Sequence, residues 1–326
     1  MNLSILISTY ERDDHFIRLL NYYTLIGFKG SLVIGEGSNI KTYQRKKKIV
    51  AKYKNLKIKY IHAPGLVFET LKLTIKFVKT KYIVFLGDDD YLVIKHIKKF
   101  LKFLDKNKSI SGVHGDAIVA KVKNNFLFSN AKYSFIQNIK KKPFERIKFH
   151  IAVANYSVNL FAIQRTKNFL KMTKFCTNKK NRHKCPERSI SEEFLPTSIL
   201  AALGKYYCLN GLYLIRTVGH SRILQNNYFN GSKANISIRY LVKCSNLFVP
   251  KKKQKEVTDA IEQAFLNRTT NQINRDIKKD QFLSKFLNYI FFHLGNIFPN
   301  LVNFIYDIYT NSAGQKIRKY IKKYIF

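Results

Sequence analysis

Four short apolar runs, at residues 3–8, 31–34, 57–61 and 82–86, alternate with stretches of helical period, and this alternation constrains the fold more than any other feature of the chain. Between the first two runs, Phe16, Leu19, Leu20, Tyr23 and Leu25 recur at helical spacing before Gly27 and Gly30. A Lys-rich helix is expected over 41–53, and a third over 66–79, with Leu66, Leu71, Ile75 and Val78 on one face. The order β-α-β-α-β-α-β before residue 90 predicts an α/β fold, a doubly wound and mostly parallel sheet with helices on both faces. In such sheets ligands bind outside the carboxyl ends of the strands. Loops 9–14, 35–39 and 87–91 all fall at those ends.

Beyond Tyr91 the spacing predicts a basic amphipathic helix with Val93, Ile97, Phe100, Leu101 and Leu104 inward. A strand over 111–122 should turn at Asn124-Asn125 and return through 126–128 as a hairpin. The polar segment 130–150 reads as a loop, 159–163 as a strand, Arg165-Thr166 as the start of a short helix, and 173–190 as a loop. Glu192 and Glu193 precede Pro196 and an apolar helix over 197–203, and two short strands after Gly204 lead to Arg216 and His220. From about 225 the chain changes character, so the expected division is a 1–224 domain and a helical, basic extension over 225–326. Its closing segment, 315–326, alternates Lys and Arg with Ile and Tyr, a pattern suited to peripheral contact with an anionic membrane face.

The chain carries 59 Lys and Arg against 20 Asp and Glu, a formal charge of +39. That excess points to an anionic partner without choosing one. It is mostly Lys, spread along the whole length with much Ile, Asn, Tyr and Phe, as an AT-biased genome would produce. The four cysteines show no C-x-x-C spacing, and Cys176, His183 and Cys185 lack a fourth ligand for a zinc site. The N-terminus lacks the pattern of a signal peptide and no apolar run reaches transmembrane length. The expected location is cytoplasmic, with the inner face of the cell membrane as a peripheral site.

Against this basic background, the fourth run ends in Gly87 and three adjacent carboxylates, Asp88, Asp89 and Asp90. Adjacent acids repel, and oxygen-only ligands favour a hard cation such as Mg2+ or Mn2+. A solvated turn and helix cap accounts for the same residues equally well.

Taken together, the first 220 residues resemble the nucleotide-sugar glycosyltransferases of the GT-A fold, the family 2-like group. The resemblance rests on a first strand ending Ser8-Thr9-Tyr10-Glu11-Arg12, a second followed by Glu36-Gly37-Ser38, the Gly87-Asp88-Asp89-Asp90 strand end, and Glu192-Glu193 before a helix. It implies a nucleoside-diphosphate sugar as donor, a glycan or lipid-linked acceptor in bacterial envelope polysaccharide or lipopolysaccharide synthesis, and transfer with inversion. By the same resemblance Asp90 is the direct metal ligand, Asp88 lies nearer the ribose or sugar, and Asp89 is a less central member. Thr9, Tyr10 and Arg12 line the nucleotide pocket, and Glu36 stands where the family usually has an Asp that accepts from the base. Glu193, or else Glu192, matches the acceptor base. Arg216 is expected at the diphosphate, and His220 at the metal.

The sequence departs from that pattern in three ways. Glu36 is one methylene longer than the usual Asp, the segment from Pro64 to Phe77 lacks the Asn/Gly-rich pattern, and Trp is absent together with the motif of processive synthases. Addition of single residues is the expected reaction. Two other classes compete. A sugar-nucleotide pyrophosphorylase would need a glycine-rich basic loop after the first strand, where Thr9 to Asp14 has no glycine and three acids. A basic protein binding nucleic acid or membrane would leave the aspartates unexplained, and nucleic acid is not expected as a partner.

Overall fold

The structure, a computed structural model, describes residues 1–123, 126–133, 137–153, 158–178, 185–187, 190–218 and 231–279. The chain divides into two compact units, Met1–Glu262 and Gln263–Phe326. The closing segment 315–326 and the expected helical series from 283 to 308 lie outside the described residues, as do His220 and the Asn124-Asn125 turn.

The alternation expected from the sequence is the one observed. Strand β1 (Leu3–Thr9) leads to α1 (Asp13–Leu25), β2 (Ser31–Glu36) to α2 (Ile40–Val50), and β3 (Lys57–His62) to α3 (Val67–Thr74), before β4 (Tyr82–Gly87). These four strands run parallel in a nine-stranded sheet among the described residues, ordered β3-β2-β1-β4-β8-β6-β9-β5, with β5 at Asp90–Leu92, β6 at Ile110–Lys123, β8 at Ile163–Arg165 and β9 at Lys205–Val218; β7 (Phe126–Tyr133) lies against β6, and β6 and β9 are a second parallel group. Leu3, Ile5, Leu6, Ile7, Ile83, Val84 and Leu86 are fully buried, as a strand covered on both faces requires. Each such side chain contributes roughly 1.5–3 kcal/mol relative to exposure. Thr9 is in register with Glu36, and Ser8 with Gly87, so the loops after β1, β2 and β4 leave the sheet at one level. That level is the carboxyl edge.

Downstream, α4 (Ile97–Lys106), β6 (Ile110–Lys123) and β7 (Phe126–Tyr133) follow the expected order. Three expectations need correction. Residues 130–150 are not a loop: β7 runs to Tyr133 and α5 spans Pro143–Val153. The reason is Arg146, whose buried guanidinium donates to the carbonyls of Ala201 (2.7 Å) and Ala202 (2.8 Å), at the end of α7 (Leu195–Leu203), and of Lys141 (2.7 Å). It closes carbonyls that a helix end leaves open, a role invisible in a segment that reads as basic and aperiodic. Residues Val158–Phe161 form a 3-10 turn, and the strand β8 follows it at Ile163–Arg165, before α6 (Thr166–Cys176). Finally, one strand, β9 (Lys205–Val218), replaces the two expected after Gly204, and a three-residue β5 (Asp90–Leu92) pairs antiparallel with it.

Two further helices, α8 (Gly231–Asn246) and α9 (Gln254–Lys279), complete the described chain. Cys176, Cys185 and Cys244 are buried and Cys208 is half-buried, and none of the four is in a disulfide. Among the described residues no helix is long and apolar enough to cross a membrane.

Candidate active site at the carboxyl edge of the sheet

The site begins with the turn after β1. Glu11 has φ of 58°, the left-handed region that a non-glycine residue rarely adopts and that persists only where surrounding contacts hold it. Its N–H donates to Ser38 Oγ at 2.7 Å, and the turn throws Arg12 back over the end of β4. There the Arg12 guanidinium spans two carboxylates, pairing with Asp88 through Nη2 and with Asp89 through Nη1 at 2.7 Å. The Thr9 hydroxyl donates to the second Asp88 oxygen at 2.7 Å. Tyr10 is 54% exposed, with its ring against Gly37.

The third aspartate is held from the other side. Asp90 opens β5 and lies opposite Arg216 of β9, whose Nε is 3.4 Å from Asp90 Oδ1. The Arg216 guanidinium also lies over the Phe161 ring, 4.6 Å from its centroid, and Phe161 stacks on Phe85 of β4. Thr217 fixes the intervening backbone: its hydroxyl donates to the Asp89 carbonyl at 2.7 Å. The three-residue β5 is thus part of the site, clamping the acidic turn to the far half of the sheet.

Burial dominates the electrostatics. Desolvation raises the Asp88 carboxyl from 3.8 to about 7, against the pull of Arg12 and the Thr9 hydrogen bond. Asp90 is likewise raised by burial, with Arg216 opposing. Both acids therefore sit where their negative charge is under-compensated, a place that favours an additional cation. The donor set is all oxygen. Asp88 already has both oxygens engaged by Thr9 and Arg12, which leaves Asp90 as the carboxylate best suited to ligate a divalent ion directly. Among the described residues no group of three or more His, Cys, Asp or Glu side chains gathers around one point, so an ion here would need its remaining ligands from the substrate or from water. On those terms the residues fit a hard cation.

Glu36, at the end of β2, is enclosed by its neighbours. It is fully buried, its Oε1 accepts from the Ser38 N–H at 3.0 Å, and its Oε2 accepts from Tyr60 Oη at 2.9 Å and Lys46 Nζ at 3.0 Å. Lys46, also fully buried, was not legible as a site residue in a helix with five basic positions out of eleven.

Glu192 and Glu193 lie on a π-helix, Ile190–Phe194, both half-buried, immediately before α7. Single π-turns of this kind occur often at functional sites. The Thr197 hydroxyl donates to the Glu193 carbonyl at 2.7 Å, and the turn packs on α7 and α8. Because α7 ends at Gly204, where β9 begins at the amino edge, the glutamates are at the opposite end of that helix. The structure therefore joins Thr9, Arg12, Glu36, Asp88, Asp89, Asp90 and Arg216 in one array, while the glutamate pair is anchored by the helices beside it.

Comparison with known proteins agrees with this geometry. Residues 32–166 match the family model described as "Glycosyl transferase family 2". That span holds Glu36 and the three aspartates. The fold is also similar to that of solved structures: TarS 1–349 from S. aureus in complex with UDP-GlcNAc superposes with a TM-score of 0.54 at 16% identity, covering 82% of this chain and 73% of that one. The same TarS segment without that ligand gives 0.51 at 14% identity, covering 82% and 72%. No curated protein matches the sequence. The class is therefore a GT-A fold, mostly parallel α/β. Within that fold, residues 32–166 are similar to the family 2 glycosyltransferases.

Proposed function

We propose that the protein transfers a sugar from a nucleoside-diphosphate sugar to a hydroxyl of a cell-envelope glycan or lipid-linked acceptor, with inversion and with Mn2+ or Mg2+ as cofactor. The observation that carries this reading is the convergence of Asp88, Asp89 and Asp90 with Thr9, Arg12 and Arg216 at the carboxyl edge, three acids and two guanidinium groups within one hydrogen-bonded array. A solved structure of similar fold carries UDP-GlcNAc, which supports a nucleotide sugar as donor here.

In this reading Arg216 meets the diphosphate, Tyr10 lies along the nucleotide, and Asp90 would hold the cation directly with Asp88 beside it; the cation when bound supplies Lewis-acid neutralisation of the leaving diphosphate. Glu193 takes the proton of the acceptor hydroxyl as that oxygen attacks the anomeric carbon, with Glu192 beside it; a half-buried carboxylate suits that task. The strongly basic chain suits a peripheral position at an anionic membrane surface, where lipid-linked acceptors reside. The test is titration of the purified full chain with UDP, GDP, CDP and TDP, with and without Mn2+. Metal-dependent binding that Asp90→Ala abolishes supports the reading, and absence of binding by every nucleotide in the folded protein overturns it.

A further inference from the structure

Lys46 is a buried cation with no solvent contact, and its surroundings account for it. Its ammonium reaches Glu36 Oε2 at 3.0 Å and Thr9 Oγ1 at 3.3 Å, and lies over the Phe16 ring at 5.1 Å from the centroid. An ammonium has donors only, so toward Thr9 it can occupy only a lone pair of the hydroxyl. The single hydroxyl proton of Thr9 is then committed to its other neighbour, Asp88 Oδ2, at 2.7 Å. Glu36, Lys46, Thr9 and Asp88 form one directed chain from the end of β2 to the end of β4.

Resting on the donor-site reading above, we infer that Glu36 does not read the nucleobase but anchors Lys46, and that Lys46 is a positioning residue which orients Thr9 and Asp88 for the nucleoside diphosphate. Glu36 has no exposed surface, and its oxygens already accept from a backbone N–H, a phenol and an ammonium. A base approaching the pocket meets a carboxylate with no exposed surface, both of whose oxygens are already engaged. Base selection therefore passes to other groups at the pocket mouth. The Lys46 charge is retained at the cost of its desolvation because it fixes the direction of a hydrogen bond.

The test uses the full chain with Mn2+, titrated with UDP and GDP, in the wild type, Glu36→Gln/Lys46→Met and Thr9→Val, with thermal unfolding of each. The double variant removes both buried charges together, and Asp13, 3.8 Å from Lys46, keeps its pair with Arg45, so no charge is left unpaired and the variant should melt near the wild type. Its affinity for the preferred nucleotide should fall about tenfold, the worth of one hydrogen bond to a charged group, with the UDP-to-GDP preference unchanged. Thr9→Val, nearly isosteric, should show a similar loss. Wild-type affinity in the double variant or in Thr9→Val overturns the inference, and so does a shift of base preference by about tenfold or more. If CDP or TDP proves to be the nucleotide bound, it takes the place of UDP in these titrations; failure of the wild type to bind any of UDP, GDP, CDP and TDP overturns the donor reading itself, and this inference with it.

Discussion

Arg216 stands directly opposite Asp90 across the antiparallel pair β5 and β9, with its Nε 3.4 Å from Asp90 Oδ1 and its guanidinium face on Phe161. The pair joins residues 126 positions apart. It is loose in distance but fixed in register, so Arg216 keeps its place when the acid takes another partner. Arg216→Met should weaken nucleoside-diphosphate binding by roughly tenfold or more, while melting within a few degrees of the wild type, since the arginine is partly exposed. Calorimetric titration beside a thermal scan measures both.

Glu193→Gln should leave nucleotide affinity within about twofold and depress transfer by two orders of magnitude or more, about the contribution of a general base. Glu192→Gln provides the comparison. A loss of donor affinity in Glu193→Gln would assign that residue to binding instead, and single-turnover rates at saturating donor distinguish the two.

The raised Asp88 carboxyl gives a pH dependence of definite sign. Its folded pKa is about 7 against 3.8 for the free group, so between those values the folded state holds the extra proton and this group's contribution to stability falls as pH rises. Binding of a metal nucleotide favours the carboxylate. Affinity should therefore climb as pH rises through about 7, with proton release measurable below 7 by titration in buffers of different ionisation enthalpy. Asp88→Asn should flatten that dependence.

His114 acts oppositely on stability. Burial lowers its pKa from 6.5 to about 3, so it is neutral in the folded state while the unfolded chain takes up a proton below pH 6.5. Its contribution to stability is lost progressively as pH falls from 6.5 toward 3. Urea unfolding of the wild type and His114→Phe across that range should show the variant with the shallower acid decline.

Arg146→Met should destabilise the fold by about 2–4 kcal/mol, because the carbonyls of Ala201 and Ala202 lose their donors in a buried place. Urea midpoints read the loss. Nucleotide affinity in the folded fraction should stay unchanged, since Arg146 lies at the end of α7 remote from the glutamates.

The sequence by itself determined the alternating α/β sheet, because burial on both faces forces near-continuous apolar runs such as Ile83 to Leu86, and a parallel connection requires the helical stretches between them. It also determined which loops lie at the carboxyl edge, and so where the aspartates, Thr9 and Arg12 would meet. Only the tertiary structure decided what holds those groups. Pairing of β5 with β9, the Arg146 bonds to the end of α7 and the burial of Lys46 each join residues far apart in the chain, and local periodicity carries no signal of such contacts. A lysine in a basic helix looks the same in sequence whether it is solvated or, like Lys46, enclosed between Glu36 and Thr9. Its role follows from the packing of α1 and α2 around the ends of β1 and β2, which brings the ammonium within reach of those two residues, of Asp13 and of the Phe16 ring.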